Sequence, residues 1–287
     1  MLVIVILISI CILYLWMIHP QNLKAEKWNG FRHHYYAHRG LHDAQSNIPE
    51  NSMAAFLKAV ENGYGIELDV QLTKDGVPVI FHDVKTGRLL RDEKGAIVNK
   101  ILTELTLEEL QRYHLLTSKE QVPLFEDVLK LVDGKVPLII ELKVANPSTD
   151  INALCSKADQ LLQKYRGLYC VESFHPACVN WYRKNCPEII RGQLAEHPNT
   201  QAKGKMFFAT RIMQYLLTNF ITRPNFIAYN HHNRHNLSRM LCHRLFKNPA
   251  IAWTIRSKQE LEDNRKYFDY FIFEHFIPNV ESSSEEQ

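Results

Sequence analysis

The alternation of two segment types constrains this chain most. Short apolar runs rich in β-branched and aromatic residues occur at Tyr35–Ala37, Tyr64–Val70, Val136–Leu142, Leu168–Ser173, Ile189–Leu194, Phe226–Tyr229, Ala250–Ile255 and Tyr267–Phe273. Between most of them lie helical patterns, including Ser52–Asn62, Leu154–Tyr165, Pro176–Asn185 and Lys258–Arg265. Such alternation predicts a parallel sheet, because a parallel return needs a crossover of a dozen residues or more. One further run, Val77–Phe81, breaks the rhythm. It follows the second run after only Gln71–Gly76, and Asp75-Gly76 is a tight-turn signal, so it is expected as a hairpin arm. Setting it aside leaves eight strands in about 255 residues, which predicts an α/β chain folded as a (β/α)8 TIM barrel. Residues 84–125 are then an excursion after the second strand, with a short helix over Thr106–Tyr113.

The N-terminus predicts something separate from the barrel. Leu2 to Ile18 reads LVIVILISICILYLWMI, seventeen residues without a charge. That is near the lower limit for crossing a bilayer, and Tyr14 and Trp16 sit where interfacial aromatics belong. No basic leader or small-residue cleavage site marks it as a signal peptide. The expectation is one N-terminal transmembrane helix: anchor and linker over 1–28, barrel over 29–280, acidic tail over 281–287. Lys24, Lys27 and Arg32 follow the span and no cation precedes it, which predicts a single-pass protein of the cell membrane with its barrel in the cytoplasm. The apolar stretch 203–224 is expected as a crossover helix, with contact to a membrane or an acyl chain as the alternative. A net charge of only +3, from 34 basic and 31 acidic residues, argues against a nucleic-acid partner. The six cysteines contain no C-x-x-C pair, so free thiols are expected.

Polar residues gather at one end of the strands, where barrel enzymes build their sites. His38 and Arg39 end the first strand, Glu67 and Asp69 lie late in the second, and Glu141 and Lys143 end the third. Residues two apart share a face of a strand, so Glu67 converges with Asp69, and Glu141 with Lys143. Three carboxylates facing one cavity repel one another, and a hard divalent cation such as Mg²⁺ or Ca²⁺ removes that cost through oxygen ligands. His38 precedes Arg-Gly, and His82 precedes Asp83 at the end of the hairpin arm. Two such imidazoles near a cation suit acid–base chemistry at neutral pH. Among the chain's 14 histidines, His231-His232-x-x-His235 reads instead as a polar loop or a metal-scavenging surface.

The motifs AHRG (37–40), IPENS (48–52), GIELDV (65–70), TKDGVPVIFHD (73–83), IIELK (139–143), ESF (172–174) and AWT (252–254), in this order, resemble the glycerophosphodiester phosphodiesterase family. The resemblance covers residues 35–275. It implies a (β/α)8 barrel and metal-dependent hydrolysis of glycerophosphodiesters to sn-glycerol 3-phosphate and an alcohol. By position, it implies Glu67, Asp69 and Glu141 as ligands of a divalent cation, Mg²⁺ or Ca²⁺ with Mn²⁺ as a further option. His38 and His82 are implied as the acid–base pair, and Arg39 and Lys143 as the phosphate-holding cations. Glu50, Asn51 and Asp83 would orient the site, and Phe174 and Trp253 would line the substrate pocket. Lysophospholipids carrying one acyl chain are the alternative substrates, and a non-catalytic lipid-binding barrel is the alternative of another class. The chain departs from the family pattern at Phe273-Glu274-His275 and at Trp253-Thr-Ile-Arg256, which bears on distal specificity.

Overall fold

The computed structural model describes residues 1–197 and 205–279, the side chains of Lys205 and Met206 excepted. Eight parallel strands form its centre: β1 (Tyr36–His38), β2 (Gly65–Leu72), β3 (Leu138–Leu142), β4 (Tyr169–Ser173), β5 (Arg191–Ala195), β6 (Phe226–Asn230), β7 (Ala250–Ile255) and β8 (Tyr270–Phe273). Each pairs with the next, and β1 pairs with both β2 and β8, so the sheet closes into a barrel as expected. The arm Pro78–Ile80 lies antiparallel on β2, with Gln71 opposite Val79.

Alternation along each strand sorts the side chains. Ile66, Leu68 and Val70 of β2 and Leu138, Ile140 and Leu142 of β3 join the large core between strands and helices. The opposite parity supplies a second cluster, with Tyr36, Ile139, Cys170, Phe226, Ile251, Tyr270 and Ile272 filling the lumen. Trp28 packs onto that cluster, its ring 5.5 Å from Tyr270 and 5.9 Å from Phe226.

The surrounding helices are α1 (Leu2–Ile18), α2 (Met53–Glu61), α3 (Phe125–Val132), α4 (Ile151–Leu162), α5 (Pro176–Asn185), α6 (Lys205–Gln214) and α7 (Lys258–Asn264). Ser52 caps α2 by accepting from Ala55 N, at 3.1 Å. The excursion before α3 folds around its own apolar cluster, including Phe81, Leu90, Leu102, Leu110, Leu115 and Val122. Its expected helix is a single turn, Leu107–Leu110, started by a capping box between Thr106 and Glu109. Beyond it the chain turns into a two-residue ribbon, His114–Leu115 against Leu90–Arg91. The acidic tail 281–287 lies outside the described residues.

The expected transmembrane helix is overturned. Among the described residues no helix is long and apolar enough to cross a membrane. Leu2–Ile18 does form a helix, α1, but seventeen residues rise only about 25 Å, against a hydrocarbon core of about 30 Å. Its last turns are also engaged by the barrel. Ile18 is fully buried, Tyr14 Oη lies 2.7 Å from Ser238 Oγ, and Trp16 packs on Phe220 at 5.0 Å. Asn219 Nδ2 donates to Ile18 O at 2.9 Å. A run that reads as an uninterrupted span is divided between an exposed half and a half docked on protein.

Candidate active site

Extending the lumen-facing parity to the strand ends assembles a polar mouth. His38 stands opposite Glu67, Asp69 opposite Glu141, and Glu141 opposite Glu172 in the strand registers. Glu67, Asp69 and Glu141 are buried, and one carboxylate oxygen of each lies within 4.8 Å of the others.

The chain enters this mouth through a sharp turn after β1. Arg39 has φ 57° and Gly40 φ 80°, and a Cβ on Gly40 would meet the Ala55 backbone at 2.9 Å. Glycine is therefore the fitting residue between β1 and α2. The turn aims Arg39 back over the site. Its backbone N donates to Glu67 Oε2 at 3.1 Å, its Nε lies 3.3 Å from Asp69 Oδ2, and its Nη1 donates to Glu50 Oε1 at 2.6 Å. Asn51 Nδ2 donates to Asp69 Oδ2 at 2.8 Å. Lys143 Nζ reaches Glu141 Oε1 at 2.9 Å and Asp69 Oδ1 at 3.4 Å.

Charge is uneven among the carboxylates. Burial pushes the Glu67 carboxyl well above its ordinary value, and Asp69 and Glu141 add to the push. Burial raises Glu141 as well, against the pull of Lys143. Burial also acts on Asp69, but Lys143 and Arg39 outweigh it and hold that group well below the carboxylate range. Asp69 Oδ1 is buried without a hydrogen bond.

The two histidines are oriented alike. His38 Nδ1 bonds Glu274 Oε2, while His38 Nε2 faces Glu67 Oε2 at 3.9 Å. Burial pushes the His38 imidazole down, against the hydrogen bond it makes to Glu274. His82 Nδ1 bonds Asp83 Oδ1 at 2.7 Å. Arg88 ties Asp83 to Glu50, with Nε 2.7 Å from Asp83 Oδ2 and Nη2 2.7 Å from Glu50 Oε1. A continuous chain thus runs His82–Asp83–Arg88–Glu50–Arg39–Asp69. Phe174 and Trp253 stand edge to face at 5.5 Å over the same mouth, with Lys143 Nζ 5.9 Å from the Phe174 ring centre.

All twelve residues singled out in the sequence therefore collect at this end of the barrel. Sequence reasoning gave four partners no role in the site. Glu172 is buried beside Glu141, and burial pushes its carboxyl well up. Arg88 was hidden because it lies in the excursion. Glu274 and Arg256, the two departures from the family pattern, meet each other: Arg256 Nε donates to Glu274 Oε1 at 2.7 Å, and Glu274 holds His38. The strand period that finds Glu67 and Asp69 also marks Glu172 and Glu274 as inward.

A closed parallel barrel with buried carboxylates, paired histidines and cations at the carboxyl ends of its strands has the layout of a barrel enzyme's active site. More narrowly, the chain belongs to the glycerophosphoryl diester phosphodiesterase family, whose profile matches residues 38–267. It is 33% identical over 163 residues to a glycerophosphodiester phosphodiesterase of Bacillus altitudinis, covering 54% of this chain and 63% of that protein. It is 38% identical over 115 residues to one from Caldanaerobacter subterraneus, covering 37% and 44%. The chain thus spans less than two thirds of these curated relatives. An Oleispira antarctica phosphodiesterase, solved in complex with the product sn-glycerol-3-phosphate, has the same fold: TM-score 0.65, 20% identity, 85% of this chain and 93% of that chain.

Proposed function

We propose that the chain hydrolyses glycerophosphodiesters to sn-glycerol 3-phosphate and an alcohol. The observation that carries this reading is the meeting of the Glu67–Asp69–Glu141 cluster with His38, His82, Arg39 and Lys143 at one mouth. The cluster suits a hard divalent cation, Mg²⁺ or Ca²⁺: its donors are all carboxylate oxygens, and the buried Asp69 Oδ1 has no hydrogen bond. When bound, the cation would offset charge developing on the phosphoryl oxygens.

The chain's own residues supply the rest. Lys143 and Arg39 hold the phosphate, with Glu50 fixing the Arg39 fork at 2.6 Å. The substrate's glycerol 2-hydroxyl attacks phosphorus, forming a cyclic phosphate as the bond to the alcohol breaks. One histidine accepts the hydroxyl proton, and the other protonates the departing alcohol. Water then opens the cycle with the roles reversed. His38 is prepared for this work: Glu274 engages Nδ1 and leaves Nε2 toward the site. Asp83 likewise engages Nδ1 of His82.

Release of glycerol 3-phosphate from glycerophosphocholine tests the reading. A chelator is expected to abolish it, with a divalent cation restoring it, and His38→Ala and His82→Ala are each expected to lower kcat by ~10²–10⁴. Full turnover in excess chelator would sink the metal assignment.

A second reading rests on one cavity. About 490 Å³ of space beside Glu141 and Lys143 is walled by Phe174, Pro176, Ala209, Ile212 and Met213. An acyl chain entering along α6 would make the substrate a lysophospholipid. Met213→Asp should then depress turnover of lysophosphatidylcholine and spare that of glycerophosphocholine.

A further inference from the structure

Three residues outside this mouth gather a second set of metal-binding atoms. His231 and His232 form the turn directly after β6, and Glu260 lies on α7. One ligand atom from each lies within 4.8 Å of the others. The donors differ in kind from those of the acidic cluster: two imidazole nitrogens and one carboxylate, a set that suits borderline transition metals over Mg²⁺ or Ca²⁺.

We propose that His231, His232 and Glu260 form a second cation site, for Zn²⁺ or a similar transition metal. Beyond proximity, one atom asks for a partner. His231 is 2% exposed, and its Nε2 is buried with no hydrogen bond, 3.8 Å from Glu260 Oε2. A buried polar nitrogen without a partner is costly, and a metal ion is one way to satisfy it. Tetrahedral ligands at ~2.1 Å from zinc stand about 3.4 Å apart, so only a small closure is needed. The two groups that would move, His232 and Glu260, are the more exposed ones.

The surroundings hold the set in place. Asn230 Oδ1 accepts from His232 N at 3.1 Å, and Asn264 Nδ2 lies 3.4 Å from His231 Nδ1. Arg256 N donates to Glu260 Oε2 at 2.6 Å, which leaves that carboxylate lone pairs for an ion. Because the Arg256 side chain also holds Glu274, activity is a poor readout of this site, and the metal itself is the better one.

Co²⁺ titration of the full chain in millimolar Mg²⁺, added to fill the proposed acidic site, tests the proposal. One equivalent should give the visible d–d absorption of a nitrogen-ligated ion, and Zn²⁺ should displace it. His232→Ala and Glu260→Gln should each lower the Co²⁺ affinity by about 10-fold or more, with unchanged circular dichroism. His235→Ala, on the same turn, should leave the absorption intact. Absorption that never forms, or that survives both His232→Ala and Glu260→Gln, overturns the site.

Discussion

At the scale of single residues, the departures from the family pattern carry the most information. Glu274 is opposed by burial, yet the hydrogen bonds from His38 and His42 and the charge of Arg256 hold its carboxyl well below the usual range. The sign of the pH dependence follows. The unfolded carboxyl titrates near ~4.3, and the folded one lower, so the unfolded state binds the proton first. Glu274 therefore contributes stability that is present above the ordinary carboxylate value and is lost as pH falls through the folded one. Glu274→Gln should cost about 2 kcal/mol at pH 7. Urea midpoints of wild type and variant should converge on acidification to about pH 3. A gap that stays constant between the two pH values would show that the charge contributes nothing. In the sequence Arg256 stood out only as a mismatch, and Glu274 as a mismatch and as the polar residue ending the eighth strand. Their partnership was illegible because they lie on different strand ends, and only barrel closure brings Glu274 to β1.

At the scale of elements, the eight strand runs were legible because their period and β-branched content repeat, and each observed strand falls on its run within a few residues. The excursion was less so: a helix over Thr106–Tyr113 is locally reasonable, but the ribbon at His114–Leu115 stops it after Leu110. The same ordering governs tolerance to substitution. Gly192 lies in β5, where an added Cβ would meet the Phe226 ring at 2.1 Å, and Phe226 is itself fully buried in the lumen. The ring has nowhere to retreat, since interiors are close-packed. Gly192→Ala should destabilise by about 1–3 kcal/mol through overpacking. Phe226→Leu in the same chain should recover part of that loss. If the double variant is less stable than the sum of the two single ones, strand rather than ring placement sets the constraint.

At the scale of the whole molecule, the N-terminal segment is where composition misled. Hydropathy registers how apolar a run is and is blind to what covers it. Leu2–Leu13 is exposed along α1, whereas Ile18 is fully buried and Trp28 is 4% exposed beneath the lumen. Polar links continue between them: Arg191 Nη2 donates to Gln21 Oε1 at 2.6 Å, and Asn225 Nδ2 to Gln21 O at 2.9 Å. Two truncations should therefore behave differently. Removing residues 1–13 deletes only exposed side chains and should move the unfolding free energy by less than about 0.5 kcal/mol. Removing 1–28 exposes the seats of Ile18 and Trp28, each worth about 2–5 kcal/mol, and leaves Arg191 without one acceptor deep in the fold. The sum is comparable with the whole stability of a domain, about 5–15 kcal/mol. The longer truncation should thus unfold at a far lower urea midpoint, or fail to fold, while the shorter one retains the wild-type transition and its turnover of a water-soluble diester. Equal midpoints for the two would mean that docking of residues 14–28 adds nothing to the barrel.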